Sequence, residues 1–588
     1  MEPLTLPMPT PGHEKKKSGP QKLRSRLSVR ARWAKANSLL VLAALLTQIG
    51  LAAFPARGAT FFIATNGNDS WSGAAPAFVS GTDGPWRTFT HINYGAKPGL
   101  HPGDVVYVRG GIYDHTSDSV ATSIRLISLY GTPSSPIIIS NYPGEWPVIY
   151  GSSSNNSTIA LTHAAWVQIF GINSSNAYRS PCFQYVTNCE IARCDFGGGG
   201  AHIGYLPAFA MYNCSQFNWI HDCVVHDSPT RMRDDSTHNM TFGLFYSSND
   251  FTACNLIESN VCYHAGHEAL SSYGPSNVLA FNWVHNEPIH FRQDYMLFCG
   301  HRDLELGGSI GNHNVVEHNW FAHAGVVGNA GSHGIEVSDG SFEIIRNNYL
   351  VENDYSGFVV YGGKVRGIMS ESNYIYNNTI AFNGFAQRYI TNYDARTNIT
   401  SVKDNRNWKN AVVFVHTTNN VFINNIVWGN DSDRIFQMDG AINLARLANN
   451  LIGSNPHFRN STDGGAWTRA LPDCSFTEGP AVDAGAFLAR ITSPSGSGTV
   501  LSVDDPHYFF AGLTAAGHVV PGDTIQLQGQ TATAAIMTIS GKTITVGRPL
   551  NWKQGQGVAL AFSGAAPDAG AYEFAATSPA MKKEAAVP

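Results

Sequence analysis

LAFNWV at residues 279–284 and VEHNWF at 316–321 share one frame: an asparagine, an apolar side chain three residues before it, and another two residues after it. IESNVC at 257–262, IRNNYL at 345–350, IYNNTI at 375–380, FINNIV at 422–427 and LANNLI at 447–452 repeat that frame. The equivalent asparagines are Asn260, Asn282, Asn319, Asn348, Asn378, Asn425 and Asn450. The frame extends backwards with cysteine in place of asparagine, through Cys223 in IHDCVV at 220–225 and Cys194 in IARCDF at 191–196. Successive frames lie between 22 and 47 residues apart. A short constant core with variable spacing is what stacked coils joined by unequal loops produce, so the sequence reads as a β-solenoid. Asparagine tolerates left-handed backbone geometry and bonds local backbone through its amide. At a bend between two strands it would turn the chain, and its amide would meet the amides of the rungs about 4.8 Å above and below. The flanking apolar positions then form columns inside the coil.

Composition agrees with a coil of short strands. Of 588 residues only 14 % are charged, while glycine is abundant, so long amphipathic helices should be scarce. The formal net charge is −5, with no polybasic block outside the N-terminus. Nucleic acid is therefore not an expected partner. The N-terminus itself reads as a targeting segment. A basic stretch from Lys15 to Lys35 precedes an apolar run at 38–54, and small residues stand at Ala56 and Gly58. Export is expected, with an uncleaved anchor as the alternative, and no membrane contact after cleavage. Eight of nine cysteines fall between Cys182 and Cys299, without zinc-finger spacing. Cys194 and Cys223 occupy the ladder position on successive rungs, at a separation compatible with a disulfide or with two packed thiols.

Residues 59–73 (ATFFIATNGNDSWSG), 85–113 (PWRTFTHINYGAKPGLHPGDVVYVRGGIY) and 135–151 (SPIIISNYPGEWPVIYG) open the chain after the leader. This opening resembles the start of secreted right-handed parallel β-helix proteins of the pectate-lyase-like superfamily. The resemblance implies architecture and a carbohydrate-related role; it names no reaction, because lyases, hydrolases and epimerases share it. Two later fragments, GPAVDAG at 479–485 and APDAGAYEF at 566–574, resemble closing motifs of the same group. Between them, 491–562 shows short alternating segments with turn signals, which read as a small β-barrel or sandwich inserted near the C-terminus. The expected organisation is a signal peptide at 1–58, a β-helix with its N-terminal cap at 59–490, the small β module at 491–562, and a closing strand with a disordered tail at 563–588.

No nucleophile elbow, HExxH or phosphate loop occurs. Titratable residues concentrate instead in YHAGHEAL at 263–270, PIHFRQDY at 288–295 and SHGIEVSDG at 332–340. Aligned on Gly274, Gly300 and Gly340, these segments would bring Glu268, Asp294 and Glu336, with His267, His333 and Arg292, to one corner of consecutive rungs. Carboxylates on neighbouring rungs about 5 Å apart would suit retaining glycoside hydrolysis, and a wider pair inversion. A histidine or arginine beside a uronate would suit β-elimination, as base or as charge neutraliser. Grouped carboxylates make Ca²⁺ a candidate ligand, and the sequence specifies no other cofactor. The reading is an exported monomer that binds and cleaves polysaccharide, by elimination or hydrolysis, in a groove along the coil. The alternative is a non-catalytic carbohydrate-binding or cell-surface structural solenoid. Trp283, Trp320 and Tyr349, each just after a ladder residue, are either sugar platforms or packing beneath loops. Glu258 and Arg346 are expected to face solvent.

Overall fold

The computed structural model describes residues 58–574 apart from internal segments, the longer of which are 199–207, 229–241, 245–251, 286–294, 301–312, 325–332 and 461–471. The chain winds into a parallel β-helix with three long sheets of 13, 12 and 11 strands. Sheet A contains the strands just before each ladder residue, such as Val278–Ala280 and Val315–Glu317. Sheet B contains the strands just after it, such as Trp283–His285 and Trp320–Ala322. Sheet C closes each turn, with Glu268–Ser272, Tyr295–Gly300 and His333–Ser338 among its members. Pairing is parallel and in strict register through the centre, Leu279 against Val316 against Ile345 in sheet A and Val284 against Phe321 against Leu350 in sheet B. These inward residues are fully buried.

The seven asparagines form one column, as the repeat predicts. Each Nδ2 donates to the Oδ1 of the next rung at 3.0–3.1 Å, from Asn260 through to Asn450. Each Oδ1 also accepts the backbone N–H of the ladder residue one rung earlier, for example Asn282 N to Asn319 Oδ1 at 2.8 Å. The second Nδ2 proton goes to a main-chain carbonyl of the preceding rung, as from Asn319 to Leu279 O at 2.8 Å. One side chain thus satisfies three groups that a bend inside a packed coil would otherwise strand away from water.

The left-handed residue is the one before the asparagine, which corrects the sequence reading. Ser259, Phe281, His318, Asn347, Asn377, Asn424 and Asn449 have φ between 51° and 56°. The bend geometry is imposed by the ladder, because phenylalanine and histidine do not seek that region unaided. Two further ladders lie five residues to either side. Asn218, Asn255 and Asn277 stack before the central column, and Asn353, Asn383 and Asn430 after it. Five-residue spacing is one three-residue strand plus its bend, so the same device serves successive corners. Burial at the −3 and +2 positions holds for six rungs and fails at the last, where Leu447 is 49 % and Ile452 39 % exposed. That rung is the end of sheets A and B, with no further strand above it.

Cysteine enters the columns as a small apolar substitute. Asp195 pairs with Val224, which sets Cys194 beside Cys223 on adjacent strands. Both are buried free thiols, each directed at a carbonyl two residues back at 3.3 Å. Burial pushes the Cys223 thiol well above its ordinary pKa.

The segment between the two closing motifs forms a six-stranded antiparallel sheet, from Ala489–Arg490 to Gly557–Leu560, and a hairpin of Gly512–Ala515 with His518–Pro521. It lies on the outer face of sheet A. Leu256, Val278, Val315 and Ile344, the outward residues of four rungs, share a core with Ile491, Phe509 and Ile525. Arg346 is 2 % exposed and pins the two parts together. It donates through both Nη atoms to Asp523 at 2.6 and 2.7 Å and through Nε to Glu317 at 2.8 Å. The expectation of a solvent-facing Arg346 fails because this sheet face is covered. The closing motifs meet each other, Gly485 N donating to Pro567 O and Ala569 N to Ala481 O. They are tied to the coil through Asn377 Nδ2 and Asp568 O.

Three outcomes follow from this packing. Asn319→Leu leaves the N–H and Nδ2 of Asn282 without their acceptor, so the urea midpoint should fall by the equivalent of about 1–3 kcal/mol; an unchanged midpoint would contradict the ladder's role. Glu343 stands in an asparagine's place, fully buried and accepting from Asn314 N at 2.8 Å. Burial raises its pKa well above the usual carboxylate range. A raised folded-state pKa means stability that is full below about pH 4 and lost as pH rises through the folded value. Glu343→Gln should remove that loss, leaving the variant more stable than the parent at neutral pH and not in acid, as read by urea midpoints across pH. Deleting 491–562 should strip the cover from sheet A and give insoluble protein, measured as the soluble fraction after expression; a soluble, folded coil would show the module to be separable.

Candidate active site

The connections between rungs set where a site can be. From Val167–Phe170 onward the bend from sheet A to sheet B is constant, as in Val315–Glu317 to Trp320–Ala322. Both connections flanking sheet C vary: Thr379–Ala381 to Asn410–Val415 spans a hairpin of Tyr389–Asp404, while Phe358–Tyr361 leads to Tyr374–Tyr376. Loops emerge on both sides of sheet C, which becomes the floor between them.

Across that floor the register is printed in backbone pairs. Glu268 pairs with Tyr295 and Tyr295 with His333, one column over three rungs. Ser271, Phe298, Glu336 and Val359 form a second column. Aligning the segments on Gly274, Gly300 and Gly340 is therefore wrong by one or two residues, since Gly300 pairs with Ser338. A slip of one residue changes the face on which a side chain stands. Trailing glycines mislead because they close loops of different shape.

His333 and Glu336 are the two predicted site residues whose side chains are described, and both are on His333–Ser338. Ile335 and Val337 belong to the interior core, so Glu336 between them faces outward, beside Val359, and is 3 % exposed. His333 packs against the rings of Tyr355 at 5.7 Å and Trp408 at 5.2 Å. Trp408 comes from the short helix Arg406–Lys409 in the longest insertion, and its carbonyl accepts Ser356 Oγ at 2.8 Å. Asp339 Oδ1 accepts Gly363 N at 2.7 Å and fastens the next turn. Glu268 is placed by its strand, while its side chain and all of His267, Arg292 and Asp294 lie outside the described residues. Glu268 and Glu336 are offset by two rungs and three residues. They are not the adjacent-rung pair, about 5 Å apart, that retaining hydrolysis uses.

Sequence reasoning missed Trp408, although the 47-residue spacing from Asn378 to Asn425 marked the insertion that supplies it. Two histidines are fixed against carboxylates. His226 is held between Asp195 and Asp227, both at 2.8 Å. Burial would lower its pKa, and the two carboxylates outweigh that and raise it to about 9. His323 Nε2 meets Glu352 at 2.8 Å. Trp320 and Tyr349 stack on each other at 4.3 Å, half-buried, on the outer face of sheet B. Among the described residues no three His, Cys, Asp or Glu side chains converge as metal ligands.

No family model matches the chain, and no curated protein matches it. Solved structures similar to it include a pectate lyase, at 13 % identity, covering 89 % of this chain and 98 % of that one, with a TM-score of 0.39. A rhamnogalacturonan lyase is 14 % identical over 67 % of this chain and 87 % of that one, TM-score 0.35. A mannuronic-acid-specific polysaccharide family 6 lyase from human gut microbiota is 14 % identical over 60 % and 75 %, TM-score 0.33. The chain's own three parallel sheets establish a parallel β-helix; the likenesses supply no residue correspondence.

Proposed function

We propose that this chain is an exported carbohydrate-active protein that binds an extended polysaccharide across the outer face of sheet C and cleaves its glycosidic links. One observation carries the reading: among the described residues, the one long sheet flanked on both sides by variable connections is the sheet whose register aligns Glu268, Tyr295 and His333, with Glu336 in the neighbouring column. Rungs about 4.8 Å apart offer a long polymer one row of side chains after another. The solved structures titled as polysaccharide lyases agree with that substrate class. Monomeric action and Ca²⁺ as a possible ligand belong to the same proposal.

Elimination suits these residues better than retaining hydrolysis, given the offset of the two glutamates. In elimination a base takes the proton on the carbon beside the uronate carboxyl. The electron pair forms a carbon–carbon double bond, the bond to the leaving oxygen breaks, and that oxygen takes up a proton. His333 or Glu268 is the candidate base, and Arg292 the candidate partner for the uronate carboxylate. Glu336, Asp294 and His267 are the remaining candidates for the site.

The test is a panel of acidic and neutral polysaccharides, read for new reducing ends and for ultraviolet absorbance of unsaturated uronate ends. Both signals should rise on a uronate polymer. Glu268→Gln or His333→Ala should lower turnover by at least about 100-fold, the scale of a lost acid–base group, with the thermal midpoint nearly unchanged. Full activity in both variants on an identified substrate would place the site elsewhere, and reducing ends without absorbance would make the protein a hydrolase.

A further inference from the structure

A second trough runs along the opposite side of the coil, at the bend between sheets A and B. Its volume is about 620 Å³. Its floor is the line of left-handed bend residues Phe281, His318, Asn347, Asn377 and Asn424. These five consecutive rungs span about 19 Å at the strand spacing. One wall carries Glu258, Glu317 and Arg346 of sheet A, and the other Trp320 and Tyr349 of sheet B. The module roofs it through residues 518–524 and 559–562, and the closing motif through Tyr572 and Glu573.

The side chains decide what such a trough would hold. The Phe281 ring lies flat against His318, 4.9 Å away and 2° from parallel. Trp320 adds a second aromatic wall. Three carboxylates, Glu258, Glu317 and Asp523, stand around the trough with the Glu573 carboxyl, whose pKa burial raises to about 7, and Arg346 already directs its guanidinium at Glu317, Asp523 and Tyr376. Burial would raise the Glu317 pKa, and the Arg346 charge outweighs it and keeps the carboxylate ionised. Burial lowers the His318 pKa, which leaves its ring neutral near pH 7. The lining is thus rich in acceptors and aromatic faces, and the one arginine among its described residues is engaged. An anionic polymer would be repelled. A neutral saccharide brings hydroxyl donors for the carboxylates and apolar C–H faces for the rings.

We propose that this trough is a second, non-catalytic binding site for a neutral oligosaccharide of a few units, separate from the face assigned to cleavage. It does not depend on what sheet C does. A protein with two such sites would hold a neutral chain on one flank while an acidic one is processed on the other.

Calorimetric titration of the full chain with β-1,4-linked gluco-, manno- and xylo-oligosaccharides, and with oligogalacturonate and oligomannuronate, tests this. Phe281→Asn removes the aromatic floor while installing the residue that the same bend carries at Asn347 and Asn377, so the fold is retained. Glu258→Gln keeps size and removes charge. At least one neutral oligosaccharide should bind, about tenfold more weakly to each variant, and equally well to His333→Ala. Absence of binding by every neutral sugar, binding indifferent to both substitutions, or loss of binding in His333→Ala would overturn the proposal. Should Phe281→Asn lower the thermal midpoint sharply, Glu258→Gln alone decides.

Discussion

A single side-chain amide repeated on consecutive rungs is what the rest of this molecule depends on. A coil of three-residue strands must bend every five residues, and each bend leaves main-chain groups inside the packed wall. An asparagine there accepts from the rung before it and donates both to that rung and to the one after. The interaction is modest singly, but its absence leaves buried donors unpaired, which is the larger penalty. The bend residue before it can then be almost anything: serine, phenylalanine, histidine or asparagine all adopt the same positive φ. The ladder therefore frees that position to vary on the outside of the coil, and the trough beneath the module is floored by it.

The three outer faces have different fates. Sheet A, with one outward column apolar from Leu256 through Val278, Val315 and Ile344 to Val421, is covered by the C-terminal module. Sheet B turns partly buried aromatics toward the closing motif, Tyr349 sharing a core with Tyr572. Sheet C is bordered by the long variable connections and receives Trp408 from the longest of them. A fold with a constant core thus concentrates its variation over one sheet, where chemistry can change without disturbing the columns within.

The ladder was legible because it is periodic in residue type, and six of its seven rungs are buried as the frame requires. The two flanking ladders were equally present, in Asn255, Asn277 and Asn314 and in Asn353, Asn383 and Asn430, but one period of fixed offset masks the next when only a single frame is sought. Sheet C was harder. Its segments follow loops of unequal length, so no constant spacing ties Glu268 to Tyr295 or His333, and glycine alignment slipped the register. Arg346 misled for a different reason: its partner Asp523 is 177 residues away, in a module whose docking no local pattern announces. Glu268, His333 and Glu336 stand on strands of sheet C, while the loops beside them have lengths that sequence spacing cannot place.

The claim that sheet C is the working face is tested most directly by hydrogen exchange on the full chain with and without an excess of a uronate oligosaccharide, the class the opposite trough should exclude. Protection should appear in the strands Glu268–Ser272, Tyr295–Gly300 and His333–Ser338 and in the connections beside them, and be absent along the bend from Phe281 to Asn424. Protection confined to that bend, or the same exchange with and without every uronate oligosaccharide, would contradict it.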